Sequence, residues 1–213
     1  MADRRSDAAI AVVDYGLGNL RSVTRGLERA GGSPEIVDDP SDLAGRDGLV
    51  LPGVGAFGEG MDNAGPFREP LREQVAAGTP LFGICLGMQM LLSTSEEAEG
   101  AGEGSAEGLS FVPGTNRRFP GEQTVPQMGW NRLHVERDHP LVDGIDGEYA
   151  YFVHSYYADP ENPGATVAST EYGVSFPSVV ADETGTVFGT QFHPEKSGET
   201  GLRILHNFVE LCR

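Results

Sequence analysis

The chain is poor in positive charge, and in lysine above all. Lys196 is its one lysine, and Lys and Arg together number 15 against 32 Asp and Glu, for a formal net charge of −17. That balance disfavours nucleic acid or an anionic membrane as the partner, because phosphate is repelled at long range. Cysteine is scarce too: Cys85 and Cys212 are too few for the framework that staples small secreted domains. Long apolar runs are missing as well. "MADRRSDAAIAVVD" reaches an aspartate after six mostly small apolar residues, too short for a secretory signal or a membrane span, so a cytoplasmic protein is expected.

What the chain has is enough apolar material for one domain. Its 213 residues are 38% hydrophobic, which suits a single α/β unit over 1–213. "AIAVVD" reads as a buried strand, and "LRSVTRGLERAG" as a helix closed by glycine. "PEIVDD" and "DGLVLPG" read as strands, followed by a glycine-rich loop, a helix around "PFREPLREQVAAG" and the strand "PLFGI". This alternation predicts a doubly wound parallel sheet in the first half. Beyond about residue 110, "WNRLHVE", "YAYFVHSYYA", "ATVAST", "VSFPSVVADETG" and "TVFGTQF" predict antiparallel hairpins, making the sheet mixed, before a final amphipathic helix. Residues 1–7 are expected to be flexible, and the acidic stretch 95–108 to be a mobile loop.

Cys85 stands where a strand enters a helix through Gly83-Ile84-Cys85-Leu86-Gly87, the form of a nucleophile elbow with sulfur in place of oxygen. Side chains at 83 or 87 would collide with the neighbouring strand and helix. The helix start favours thiolate over thiol, and the Leu86 N–H is placed to hold an oxyanion. A buried structural cysteine is the alternative, and it is the better reading for Cys212 in the final helix.

A thiolate nucleophile needs a base. Of His134, His139, His154, His193 and His206, His193 stands out, because Pro194 disfavours helix before it and an extended backbone projects 193 and 195 to one side. Glu195 then fixes the imidazole tautomer and steadies the imidazolium. An exposed His-Glu pair at a strand end is the plainer alternative. His134, His139 and His206 read as surface or structural. "GVGAFG" also spells G-x-G-x-x-G, but a dinucleotide site needs a long helix next and an acidic residue about 20 positions on. Here "EGMDNAGPF" follows, after the third strand rather than the first. No cofactor and no metal are expected.

"GICLGMQ" with "FHPE" far downstream resembles the class I glutamine amidotransferases. "VDYGLGNLRSV", "LPGVGAFGEGM", "PQMGWN", "YFVHSYY" and "FGTQFHPEKSG" narrow the resemblance to the glutaminase subunits of imidazole glycerol phosphate synthase, from about residue 8 to the end. The resemblance implies a catalytic triad of Cys85, His193 and Glu195 that releases ammonia from glutamine through a thioester. It also implies an oxyanion hole from Leu86 with the Gly53–Val54 peptide, and substrate contacts from Gly55, Gln89, Ser155 and Tyr156. The ammonia would go to a separate cyclase subunit, a (βα)8 barrel converting PRFAR to imidazole glycerol phosphate and AICAR, in a heterodimer. Lys196, Met128 and Trp130 would face that partner. A surface cation and a core ring are the plainer readings of Lys196 and Trp130. The acidic stretch 98–107 departs from the family pattern and leaves the role of Glu97 open. A glutaminase of another pathway and a non-catalytic α/β binding protein are the alternatives.

A lysine-poor, acidic surface suits concentrated salt, where self-repulsion is screened. Raising KCl from about 0.1 M to about 2 M is therefore expected to raise the thermal midpoint, as followed by circular dichroism. A midpoint indifferent to salt would remove the salt-adapted reading.

Overall fold

Apolar runs without polar alternation belong in a sheet covered on both faces. The computed structural model, which describes residues 7–98, 107–121 and 123–213, places them there. Strands β1 (Ala9–Val13), β2 (Ser33–Val37), β3 (Gly48–Gly53) and β4 (Leu81–Cys85) form the parallel half of an eight-stranded sheet. Outside it, β5 (Leu92–Ser95) pairs with β6 (Val112–Arg118), and β7 (Gln127–Arg132) begins a separate ribbon. After β8 (His134–Val135), β9 (Tyr149–His154) completes the ribbon with β7, and β10 (Tyr156–Pro160) pairs with β6. β11 (Thr166–Glu171), β12 (Ser175–Ala181) and β13 (Val187–Thr190) finish the large sheet, in the order β2-β1-β3-β4-β13-β12-β11-β8. β13 runs parallel to β4 and antiparallel to β12, so the sheet is mixed, as expected.

The helices are α1 (Leu20–Arg29), α2 (Phe57–Asn63), α3 (Arg68–Ala76), α4 (Leu86–Met90) and α5 (Gly198–Leu211). Successive strand residues point to opposite faces. Ile10 and Val12 accordingly pack with Val23 and Leu27 of α1 and with Ile204, Leu205 and Phe208 of α5. Ala11 and Val13 meet Phe57 and Met61 of α2, Leu71 of α3 and Leu86 of α4. Cys212 is buried just beyond α5, where burial and then the Asp47 charge push its thiol up to about 12. It is the structural cysteine the sequence suggested.

Four segments differ from expectation. "YAYFVHSYYA", read as one strand, is β9 and β10 in two different sheets. The break falls at Ser155, whose carbonyl accepts the Phe119 N–H at 3.2 Å, so the hydrogen-bonding partner changes there. "WNRLHVE" likewise divides at the buried Leu133 into β7 and β8. The glycine-rich loop after β3 contains α2, whose Phe57 and Met61 sit four apart on its buried side. β6 was not expected at all, since "VPGTNRR" holds Pro113 and Gly114, poor strand residues. A Cβ at Gly114 would lie 2.6 Å from the Asp159 carbonyl oxygen on β10, so the close pairing itself requires glycine. The segments 1–6 and 99–106 of the expected flexible terminus and acidic loop lie outside the described residues. Among those described, no helix is long and apolar enough to cross a membrane.

The tightest packing lies where β4 turns into α4. A Cβ on Gly87 would fall 1.7 Å from the Leu51 carbonyl oxygen, and one on Gly83 would fall 2.7 Å from that of Gly87. Both obstacles are backbone and have no rotamer to change. Gly87→Ala is expected to cost at least about 3 kcal/mol in urea unfolding. Gly65→Ala, with open space around it, is expected to stay within about 0.5 kcal/mol of the wild type.

Candidate active site

Cys85 ends β4 and directly precedes α4, with φ 56° and ψ −108°. Few L-residues adopt a positive φ, and such strain persists only where the surroundings enforce it. Here β3 and β13 flank β4, and α4 is pressed against Leu51 by the absence of side chains at 83 and 87. The sulfur is thereby held at the first turn of α4, beside the Leu86 N–H. Its thiol donates to the Val153 carbonyl at 3.8 Å, and Gln191 Nε2 donates to the sulfur at 3.9 Å.

His193 follows β13, the strand next to β4, which is how a distant residue arrives at the elbow. Its backbone is anchored on both sides: its N–H donates to the Tyr151 carbonyl at 3.0 Å, and its carbonyl accepts from Ser197 Oγ at 2.7 Å. The Nδ1–H donates to Glu195 Oε1 at 2.9 Å, with imidazole and carboxylate only 2% and 1% exposed. Nε2 is buried and makes no fixed hydrogen bond. Burial lowers the pKa of this imidazole, but attraction to the Cys85 sulfur and the Glu195 carboxylate outweighs it and pushes the value up to about 9. The imidazole is thereby held protonated between the sulfur and the carboxylate.

A cavity of about 240 Å³ opens over these groups, lined by Cys85, Leu86, Gln89 and His193 together with Val54, Gly55, Ser155 and Tyr156. Gly53 stands behind this wall, where a Cβ would meet Tyr15 Oη at 2.3 Å and Leu86 Cβ at 2.9 Å. Gln89 Nε2 donates to the Tyr156 carbonyl at 2.9 Å. A cysteine at a strand–helix corner and an imidazole oriented by a carboxylate, both on one small cavity, form an arrangement that suits acyl transfer. Met128, Trp130 and Lys196 lie outside the cavity. Met128 and Trp130 are 66% and 54% exposed on the β7–β9 ribbon, and Lys196 is exposed beside Glu195.

The family described as Glutamine amidotransferase class-I matches residues 11–212. The chain belongs to the class I glutamine amidotransferases. It is 63% identical to the imidazole glycerol phosphate synthase subunit HisH of Haloarcula marismortui, over 100% of this chain and 99% of that protein. It is 68% identical to the HisH subunit of Halobacterium salinarum over 96% of this chain and 94% of the relative. Both are haloarchaeal, in keeping with the salt-adapted composition. The amidotransferase fold recurs in PurLQS from Thermotoga maritima, with a TM-score of 0.75, 20% identity, and coverage of 97% of this chain and 100% of that one.

Three further residues enter this amidotransferase site. Glu97 lines the cavity, and its Oε2 accepts the N–H of Phe57, the first residue of α2, at 2.8 Å. It thereby ties the base of the acidic segment to the loop holding Val54 and Gly55. Gln191 lies at the bend just after β13, two residues before His193, and its amide reaches the Cys85 sulfur. The extended backbone expected over 193–195 is found only at His193: Pro194–Lys196 form a short 3-10 turn, and it is this turn, not strand parity, that brings Glu195 back to the imidazole. His154 lines the cavity too, but nothing local in "FVHSYY" marks it. Its Nδ1–H donates to the Tyr156 carbonyl at 2.7 Å, its Nε2 is buried without a partner, and burial among Phe119, Phe152 and Phe176 lowers its pKa to about 4.

The two histidines impose opposite pH dependences on stability. His154 is held neutral, well below its ordinary 6.5, so its contribution is complete above that value and is lost as pH falls through about 4. His193 is raised, so its contribution is present below 6.5 and is lost as pH rises through about 9. Removing the first dependence with His154→Asn is expected to flatten the acid side of a urea-midpoint profile by on the order of 3 kcal/mol. An unchanged acid slope would mean that His154 is not held neutral by burial.

Proposed function

We propose that this chain is the glutaminase subunit of imidazole glycerol phosphate synthase, hydrolysing glutamine and passing ammonia to a separate cyclase subunit. The observation that carries the reading is a buried imidazole, oriented by Glu195 at 2.9 Å, beside a cysteine held at positive φ.

The steps follow from those groups. The Cys85 thiolate adds to the side-chain carboxamide carbon of glutamine, and the oxyanion is received by the Leu86 N–H and a peptide of the Gly53–Val54 loop. His193, as imidazolium, gives its proton to the amine nitrogen. The C–N bond breaks, ammonia leaves, and a glutamyl thioester remains. The neutral imidazole then takes a proton from water, the hydroxide adds to the thioester carbon, and the C–S bond breaks to return the thiolate with glutamate. Glu195 keeps Nδ1 protonated throughout, so that Nε2 alone carries the moving proton. Gly55, Gln89, Ser155, Tyr156 and the Glu97 carboxylate surround the cavity where the amino-acid end would lie; Glu97 is suited to the α-ammonium.

Ammonia is mostly protonated near neutral pH and is then no nucleophile, which favours shielded transfer to the consuming site. The ribbon carrying Met128, Trp130 and Tyr149 exposes apolar side chains at the border of the cavity, where Val153 and His154 of β9 line it. Apolar and aromatic surface of this kind suits a protein partner. We assign it, with Lys196, to the cyclase subunit, a (βα)8 barrel forming a heterodimer with this chain.

Glutamine hydrolysis is to be assayed alone, with the cyclase subunit, and with that subunit plus its nucleotide ligand. Stimulation by the pair is expected. High activity indifferent to the partner would overturn the subunit assignment, and none in any state the glutaminase reading. Cys85→Ala is expected to lower glutamine hydrolysis by at least about a thousandfold while ammonia-dependent synthesis by the complex persists. Glu195→Gln is expected to lose less than His193→Ala, since it removes orientation and charge but not the proton carrier.

A further inference from the structure

Gln191 is a buried side chain at the site that the steps above leave unused. It is 0% exposed. Its Nε2 donates to the Cys85 sulfur at 3.9 Å, and its Oε1 accepts from Gln89 Nε2 at 3.2 Å. Gln89 Nε2 also donates to the Tyr156 carbonyl, which receives His154 Nδ1–H as well. A line of hydrogen bonds thus runs from the sulfur through two side-chain amides to the backbone of the opposite cavity wall.

The direction of this line is fixed by its far end. A carbonyl such as that of Tyr156 can only accept, so the Gln89 amide must present its NH₂ group there. That same group then supplies the Gln191 oxygen, which leaves the Gln191 NH₂ facing the sulfur. Turning either amide over would set donor against donor or acceptor against acceptor in a buried place. The sulfur has two different partners as a result. The Val153 carbonyl accepts from it as a thiol, and Gln191 donates to it as a thiolate. Donors favour the charged form of an acceptor.

We propose that Gln191 is a positioning residue for Cys85, donating to its sulfur in the nucleophilic form and linking it to Gln89 in the wall of the cavity. This deepens the glutaminase reading and rests on Cys85 being the nucleophile. The other ionisable groups around the sulfur are the His193 imidazole with Glu195 behind it, and the Tyr15 hydroxyl, which burial and then the Cys85 charge push up. His154 and Glu97 line the same cavity. Gln191 is neutral among them, so its effect is that of a dipole fixed in direction.

The test is the rate of alkylation of Cys85 by iodoacetamide across pH in the full chain, read by mass spectrometry. Cys212 serves as an internal control, its thiol pushed up to about 12. Gln191→Met keeps the length of the side chain and removes the amide. It is expected to raise the alkylation inflection by about one pH unit, to slow alkylation below the inflection by about tenfold, and to lower kcat for glutamine. Gln191→Glu keeps the shape and sets a carboxylate against the sulfur, and is expected to raise the inflection further. A residue that merely filled space would change stability and leave the inflection where it was. An unchanged inflection in the folded variants overturns the proposal. Persistent glutamine hydrolysis after complete alkylation of Cys85 in the wild type would instead overturn the nucleophile reading, so the two failures are separable.

Discussion

The contact between the backbone of Gly87 and the carbonyl of Leu51 is the constraint on which the rest of the site depends. It allows α4 to begin immediately after β4, with no room for a linking loop, so the residue at the corner must take up the whole change of direction. That residue is Cys85, at φ 56°. The cost of such a conformation is of order 1–3 kcal/mol and must be offset by packing elsewhere. The offset comes from the buried strands on either side and from Leu86, Met88 and Met90 of α4, all of them buried. The geometry of Cys85 is thus a property of the sheet.

Around that fixed sulfur the electrostatics divide the histidines. His193 has the Glu195 carboxylate on one side and the Cys85 sulfur on the other and is held protonated; His154 has an aromatic nest and a single carbonyl and is held neutral. Both imidazoles line one small cavity. Their surroundings, rather than their residue type, decide which of them holds a proton there. The net charge of the whole chain contributes little to this, since its acidic residues are mostly at the surface and screened within a Debye length.

The sequence carried the parallel half of the sheet because β1, β3 and β4 are short apolar runs with both faces covered, and β2, an exposed edge strand, still ends in Ile36 and Val37 before Asp38. It carried the elbow because glycines two residues either side of a cysteine have a steric meaning that survives without coordinates. It carried the pairing of His193 with Glu195, but not its reason: Pro194 leaves His193 extended and opens a short 3-10 turn that returns the carboxylate to the ring. What it did not carry were changes of hydrogen-bonding partner along a continuous pattern. "YAYFVHSYYA" holds no glycine or proline to break it, yet Ser155 separates two sheets, because pairing is decided by strands far away in the chain. β6 was hidden for the opposite reason: its own residues argue against a strand, and tertiary pairing overrides them. His154 and Gln191 needed the third dimension, since no local pattern marks either of them.

One consequence of the ribbon concerns thickness. Trp130 stacks edge-on against Tyr151 at 5.9 Å, and the carbonyl of that same Tyr151 holds the backbone N–H of His193 at 3.0 Å. A single residue therefore separates an indole open to solvent from the main chain of His193. The barrier between the outside of the molecule and its chemistry is one amino acid deep at this point, and a body leaning on the indole would have no compliant layer to press through before it reached the imidazole.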